Sequence, residues 1–118
     1  MIAIHEMTHG MGAVPAEAPH IVEQTIATVG AGPVVLSVDV DVLDPAFAPG
    51  TGTPEPGGMT SVELLKAVRV MAERLELVGA DVVEVIPTAV DSADITALVA
   101  DRIVREILTG IALRRRLH

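Results

Sequence analysis

Cysteine is absent from the 118-residue sequence, which excludes a disulfide framework and any zinc site built on thiolates. Tryptophan and tyrosine are also absent, and Phe47 is the sole aromatic residue. The core must therefore come from Val, Ile, Leu and Ala, which suits helices packed on a buried parallel sheet. Basic residues are scarce: 8 Lys and Arg against 16 Asp and Glu give a formal charge of −8. So acidic a chain lacks the electrostatic footprint of a nucleic-acid binder, and no nucleic-acid partner is expected. Its field mildly favours cationic ligands without naming one. The one basic cluster, Arg114-Arg115-Arg116, reads as a helix C-terminus with cations at its negative pole. No apolar run reaches membrane-spanning length, because charges, Gly or Pro interrupt each one. The amino terminus lacks the basic and long apolar stretches of a signal peptide. A cytoplasmic protein without a membrane partner is the expectation.

What is present is apolar. Half of the residues are hydrophobic, and mean hydropathy is +0.53. At this length the chain makes one domain with one core. So much apolar surface on so short a chain leaves a surplus, to be covered by a partner subunit or by more of the same domain.

Along the chain, Ile2-Ala3-Ile4 suggests a short strand, and His20 to Val29 has helical apolar spacing before Gly30-Ala31-Gly32-Pro33 ends it. Val34 to Asp41 reads as a buried strand, β-branched and apolar until its end. Residues 42–59 form a long loop whose four prolines restrict it, so it is expected to be ordered and functional. Thr60-Ser61-Val62-Glu63 is a capping-box pattern opening a helix to about Leu75. Val78 to Ile86 reads as a second strand, stopped by Pro87. Asp94 to about Leu113 reads as a final helix, with Ile95, Leu98, Val99, Ile103, Ile107 and Leu108 inside. Strand, helix, strand, helix in this order is a βαβ unit.

Side chains two apart on a strand share a face, so Asp39 and Asp41 are expected to project together from its carboxyl end. That end is where open α/β sheets bind ligands. Two carboxylates crowded there repel and are costly to desolvate unless cations hold them. Two oxygen-ligated metals would resolve this, and such pairs activate a bridging water for hydrolysis. On the D-x-D spacing alone, two solvated residues at a strand end are the commoner outcome.

The residues around the pair change that balance. Ser37-x-Asp39-x-Asp41, then Pro45, Pro49-Gly50 and Gly58, reproduce the pattern S-x-D-x-D-x(3)-P-x(3)-P-G-x(7)-G. So many fixed positions over more than twenty residues make a strong signal. On them the sequence resembles the ureohydrolase (arginase/agmatinase) family. Asp44 to Gly58, DPAFAPGTGTPEPGG, looks more like agmatinases and related guanidino-compound hydrolases than like arginases. The similarity continues through GADVVEVIP and Ile95 to Leu98, covering about residues 33–113.

The resemblance implies a three-layer α/β fold around a parallel sheet, with two Mn²⁺ ions at the strand ends. It implies hydrolysis of a small cationic guanidino compound to urea and an amine, and a homotrimer or homohexamer when complete. By the motif match, Asp39 would bridge both metals and Asp41 would bind one. Glu84 matches the family carboxylate near the guanidinium, and it also stands at a strand's carboxyl end. Thr53 matches a loop position beside the substrate; a turn hydroxyl in a Gly/Pro loop explains it equally well. Asp44, before Pro45, is read as shaping the loop in preference to binding metal.

Of the six metal ligands the resemblance implies, two stand in this sequence. No D-x-H-x-D cluster occurs, and His5, His9 and His20 lack the required neighbours. Residues 1–118, with the signature loop at 37–58, are therefore expected to be the carboxyl-terminal part of a single ureohydrolase domain, inactive alone. The alternative is a non-catalytic interaction subunit or truncated paralogue with the same fold.

His5-Glu6-Met7-Thr8-His9 also spells H-E-x-x-H, the zinc-protease motif that needs both histidines on one helical face. Gly10, Gly12 and Pro15 deny it a sustained helix, and position 15 is not the third histidine of the longer form. A loop following a strand is the expectation there.

Overall fold

A computed structural model of the chain describes residues 2–3, 18–88, 91 and 93–117. The elements run β1 (Ile2–Ala3), α1 (Ala18–Val29), β2 (Pro33–Asp39), a 3-10 turn (Val40–Val42), α2 (Ser61–Arg74), β3 (Glu76–Val83) and α3 (Ile95–Leu117). The sheet is parallel throughout, in the order β1-β2-β3. His5 and His9, and with them the H-E-x-x-H motif, lie outside the described residues, as does Ile4.

β2 is Val-rich and alternates in burial, with Val34, Leu36 and Val38 facing the helices. Leu36 and Val38 are fully buried, and each contributes roughly 1.5–3 kcal/mol by leaving water. The other face carries Val35, Ser37 and Asp39, and Val35 is exposed. One core joins Val22 of α1, the inward residues of β2, Leu64, Val68 and Met71 of α2, and Val99, Ile103 and Ile107 of α3. The described residues thus form a helical layer on one face of a parallel sheet, an α/β arrangement.

α2 begins as its capping box dictates. The Glu63 amide donates to Thr60 Oγ1 at 3.2 Å, and the Thr60 amide donates to Glu63 Oε2 at 3.5 Å. It stops at Arg74 because Leu75 turns extended while still donating to the Met71 carbonyl, and β3 follows at once. α3 packs along α2, and its buried Glu106 is held by Arg69 at 2.5 Å and by Arg102 at 2.9 Å. Near its C-terminus, Arg114 donates to the Arg74 carbonyl at the end of α2. No helix among the described residues is long and apolar enough to cross a membrane.

Several boundaries and one face differ from the sequence expectations, α3 for instance running to Leu117 and not to about Leu113. β2 ends at Asp39, so Asp41 lies in the 3-10 turn and not on the strand. β3 spans Glu76–Val83, beginning two residues before Val78 and ending three before Ile86, because Glu84 takes a left-handed backbone at φ 68° that breaks the ladder. Ile95, Leu98 and Leu108 are 44%, 65% and 61% exposed, so α3 turns them away from the core its sequence assigned them to.

Candidate functional site

The signature residues gather at the carboxyl edge of β2. Asp39, the last strand residue, caps the turn that follows: the Asp41 amide donates to Asp39 Oδ1 at 3.0 Å. That bond bends the backbone and draws Asp41 into a buried position. The two residues are therefore linked by a turn, not by the two-residue repeat of a strand. The Thr53 hydroxyl then donates to Asp41 Oδ2 at 2.9 Å, joining the far side of the loop to the same point.

The loop is a closed construction. Val42 and Asp44 flank a parallel bridge between Leu43 and Met59: the Asp44 amide donates to the Met59 carbonyl, and the Met59 amide to the Val42 carbonyl, each at 2.9 Å. Inside, the Asp44 carboxylate accepts from the Ala46 amide at 2.9 Å and the Gly57 amide at 3.0 Å. The Ala46 bond, then the Gly57 bond, hold its carboxyl below the usual range against a slight upward push from burial. Asp44 is thus engaged in shaping the loop. A Cβ on Gly58 would lie 2.5 Å from the Val42 carbonyl oxygen and 2.6 Å from the Asp44 nitrogen, so the neck admits glycine alone.

Glu84 stands at the same sheet edge. Asp39 pairs with Val83, so Glu84 follows one residue beyond that register partner on the neighbouring parallel strand. Its positive φ, rare for a non-glycine residue, is the kind of local strain that collects at functional sites. Glu84 is exposed.

Two features were not read from the sequence. Ser37 Oγ donates to Asp81 Oδ1 at 2.6 Å across the β2–β3 register, which accounts for a signature serine as a cross-strand tie. A lone Asp within the apolar run Gly79 to Val83 was the available signal. At the loop's centre, the Gly50 amide donates to Thr96 Oγ1 at 2.7 Å, and Asp91 accepts from the amides of Ile95 and Thr96. The Thr96 hydroxyl, then the Thr96 amide, hold the Asp91 carboxyl below its usual range, with burial opposing and the Ile95 amide assisting.

Asp39 and Asp41 suit a hard divalent cation in kind, since both offer carboxylate oxygen. In number they do not complete a centre: among the described residues, no group of three or more His, Cys, Asp and Glu could hold a metal ion. Glu84 follows Val83, the register partner of Asp39, and the Thr53 hydroxyl is bonded to Asp41. A groove of about 520 Å³ runs elsewhere, between β3 and α3, lined among others by Val78, Asp81, Val104 and Leu108.

Comparison with known proteins identifies the family. Residues 4–110 match the sequence profile of the arginase family. The chain is 56% identical over 95 residues to a guanidinopropionase of Pseudomonas aeruginosa, spanning 77% of this chain and 29% of that protein. It is 52% identical over 88 residues to an agmatinase of Cronobacter sakazakii, spanning 75% of this chain and 28% of that one. The crystal structure of a hypothetical agmatinase from Burkholderia thailandensis superposes with a TM-score of 0.75 at 44% identity, covering 84% of this chain and 30% of that one. Proclavaminate amidino hydrolase from Streptomyces clavuligerus gives 0.76 at 44% identity, covering 82% and 32%. The chain spans under a third of the length of these relatives. Matched over most of its own length in sequence and in fold, it belongs to the arginase family.

Proposed function

We propose that residues 1–118 are the carboxyl-terminal part of a ureohydrolase domain that cleaves a C–N bond of a linear, agmatine-like guanidino compound to urea and an amine. The observation that carries this is the bonded set Asp39–Asp41–Thr53, one register step from Glu84 at a single sheet edge. The relatives' names, guanidinopropionase, agmatinase and amidino hydrolase, place their reactions at guanidino or amidino groups.

Within this reading Asp39 and Asp41 hold Mn²⁺, two ions per complete centre. Bound metal supplies Lewis acidity and lowers the pKa of water. Asp39 accepts from the Asp41 amide and Asp41 from the Thr53 hydroxyl, supports of the kind that orient metal ligands. Glu84 faces the substrate's positive charge with a carboxylate, a charge-assisted pairing that planar guanidinium favours. Thr53, bonded to Asp41, positions that ligand beside the substrate.

Two carboxylates alone hold Mn²⁺ weakly. The 118-residue chain in excess Mn²⁺ should therefore release no urea from agmatine, 4-guanidinobutanoate, 3-guanidinopropanoate or arginine. Joined to the amino-terminal portion of a full-length relative, it should release urea from at least one of them. Urea from the bare chain, or none from any such chimera that folds, contradicts the proposal.

A further inference from the structure

Gly50 is the point at which three elements meet. Its amide donates to Thr96 Oγ1 at 2.7 Å, and its carbonyl accepts from the Ile86 amide at 2.8 Å. Both of its backbone polar groups are thus committed, one to the first turn of α3 and one to the segment after β3. The space around it is full: a Cβ would lie 2.8 Å from Asp91 Oδ2, 2.9 Å from Thr96 Oγ1 and 3.0 Å from the Ile86 carbonyl oxygen. Thr96 and Asp91 are both buried.

The hydrogen bonds have a direction. Thr96 Oγ1 accepts from Gly50, so its own proton is free to go to the Asp91 carboxylate. Asp91 meanwhile accepts the Ile95 amide at 2.9 Å and the Thr96 amide at 3.0 Å, as a helix cap does. An ordinary cap would satisfy α3 alone. This one extends through the Thr96 hydroxyl to a residue 46 positions earlier in the chain.

What it reaches matters. The neck at Leu43 and Met59 and the Asp44 carboxylate hold the ends of the signature loop. Among the described residues, its middle is tied at Gly50 and, three residues on, by the bond from Thr53 to Asp41. Ile86, the other partner of Gly50, lies two residues after Glu84. We propose that Asp91 and Thr96 are a positioning pair: by holding Gly50 they set the loop so that Thr53 meets Asp41, and they tie that loop to the segment carrying Glu84. The proposal rests on the reading of Asp39 and Asp41 as metal ligands.

The test compares wild type, Thr96→Val, Thr96→Ser, Asp91→Asn and, as a core destabiliser remote from the loop, Val99→Ala. Two quantities are read on the chain completed by a relative's amino-terminal portion: residue-level amide hydrogen exchange, and Mn²⁺ affinity from the electron paramagnetic resonance of the free aqua ion. Thr96→Val should speed exchange at Gly50 and Ile86 by about tenfold relative to Met59, the order expected for one lost buried bond. It should also weaken Mn²⁺ binding severalfold, and Thr96→Ser should restore both. Asp91→Asn, which keeps a capping carbonyl, should move both the same way and serves if Thr96→Val does not fold. Val99→Ala should change neither the exchange ratio nor the affinity. An unchanged exchange ratio in Thr96→Val overturns the tie itself. Altered exchange with unaltered Mn²⁺ affinity leaves a purely structural latch and overturns the positioning role. Equal Mn²⁺ affinity in wild type and Asp39→Asn removes the metal reading, whatever the exchange shows.

Discussion

Thr53 Oγ1 donates to Asp41 Oδ2 at 2.9 Å, so the outer limb of a Pro/Gly loop ends on one of the two signature carboxylates. The bond closes a circuit that starts at Asp39, passes through the Asp41 amide and returns by way of the loop. Replacing Thr53 by Val keeps the shape and removes the donor. Denaturant unfolding should register a loss of about 0.5–1.5 kcal/mol, the net value of one hydrogen bond. In a completed, active protein the same change should weaken Mn²⁺ by about 10- to 100-fold, as loss of a ligand's supporting partner does. Unchanged metal affinity would make Thr53 a turn hydroxyl and nothing more.

The capping box of α2 offers a clean stability test away from the site. Thr60→Ala removes the acceptor for the Glu63 amide and should cost about 1 kcal/mol in urea unfolding. Thr60→Asp, which caps as well, should cost far less. Equal losses in both would show that the side chain's packing, not its oxygen, starts the helix.

Glu106 gives stability a defined pH dependence. Burial pushes its carboxyl up, but the hydrogen bond from Arg102 and the charges of Arg69 and Arg102 outweigh this and leave it lowered. A carboxyl lowered on folding contributes stability that is present above its unfolded pKa and is lost as pH falls through its folded pKa. Glu106→Gln should therefore destabilise the chain at neutral pH, by about 1 kcal/mol given partly exposed arginines, and flatten the acid limb of its stability curve. An acid limb of unchanged slope would assign the pH dependence to other carboxyls.

The surface carries several large apolar side chains. Val35 on the open sheet face, Val78 on β3, and Leu98 and Leu108 on α3 are all exposed. The isolated chain should self-associate or bind a hydrophobic dye, in sedimentation and fluorescence respectively. A monodisperse monomer that binds no dye would contradict the view that further structure covers these residues.

Much of this was legible in the sequence, and the exceptions have physical causes. The capping box, the ordered loop and the role of Asp44 follow from side chains bonding to nearby backbone, which local sequence encodes. The end of β2 was not legible: Val38-Asp39-Val40-Asp41-Val42 has strand composition throughout, and only the capture of the Asp41 amide by Asp39 converts its last part into a turn. The end of β3 was hidden likewise, since nothing in Glu84-Val85-Ile86 announces a left-handed backbone at a glutamate. On α3 the apolar period overcounts the core, because Leu98 and Leu108 belong to a face that no described residue covers. The tie from Thr96 to Gly50 spans 46 residues, and no local pattern reports a contact at that distance.

Glu84 has a distinct signature in kinetics. Glu84→Gln in an active, completed protein should raise KM for a guanidino substrate far more than it lowers kcat, because it removes a charge that captures the cation. A fall in kcat with KM unchanged would place Glu84 in the chemical step instead.

The central claim is that Asp39 and Asp41 are two of the ligands of a two-metal centre, and counting metal tests it most directly. The chain completed by a relative's amino-terminal portion should carry two Mn²⁺ per site after exhaustive dialysis, measured by plasma emission spectroscopy alongside urea release. Asp39→Asn, conservative in shape, should lower the bound Mn²⁺ and abolish urea release together, while the circular dichroism spectrum stays unchanged. Full metal content and undiminished urea release in a folded Asp39→Asn protein would contradict the account.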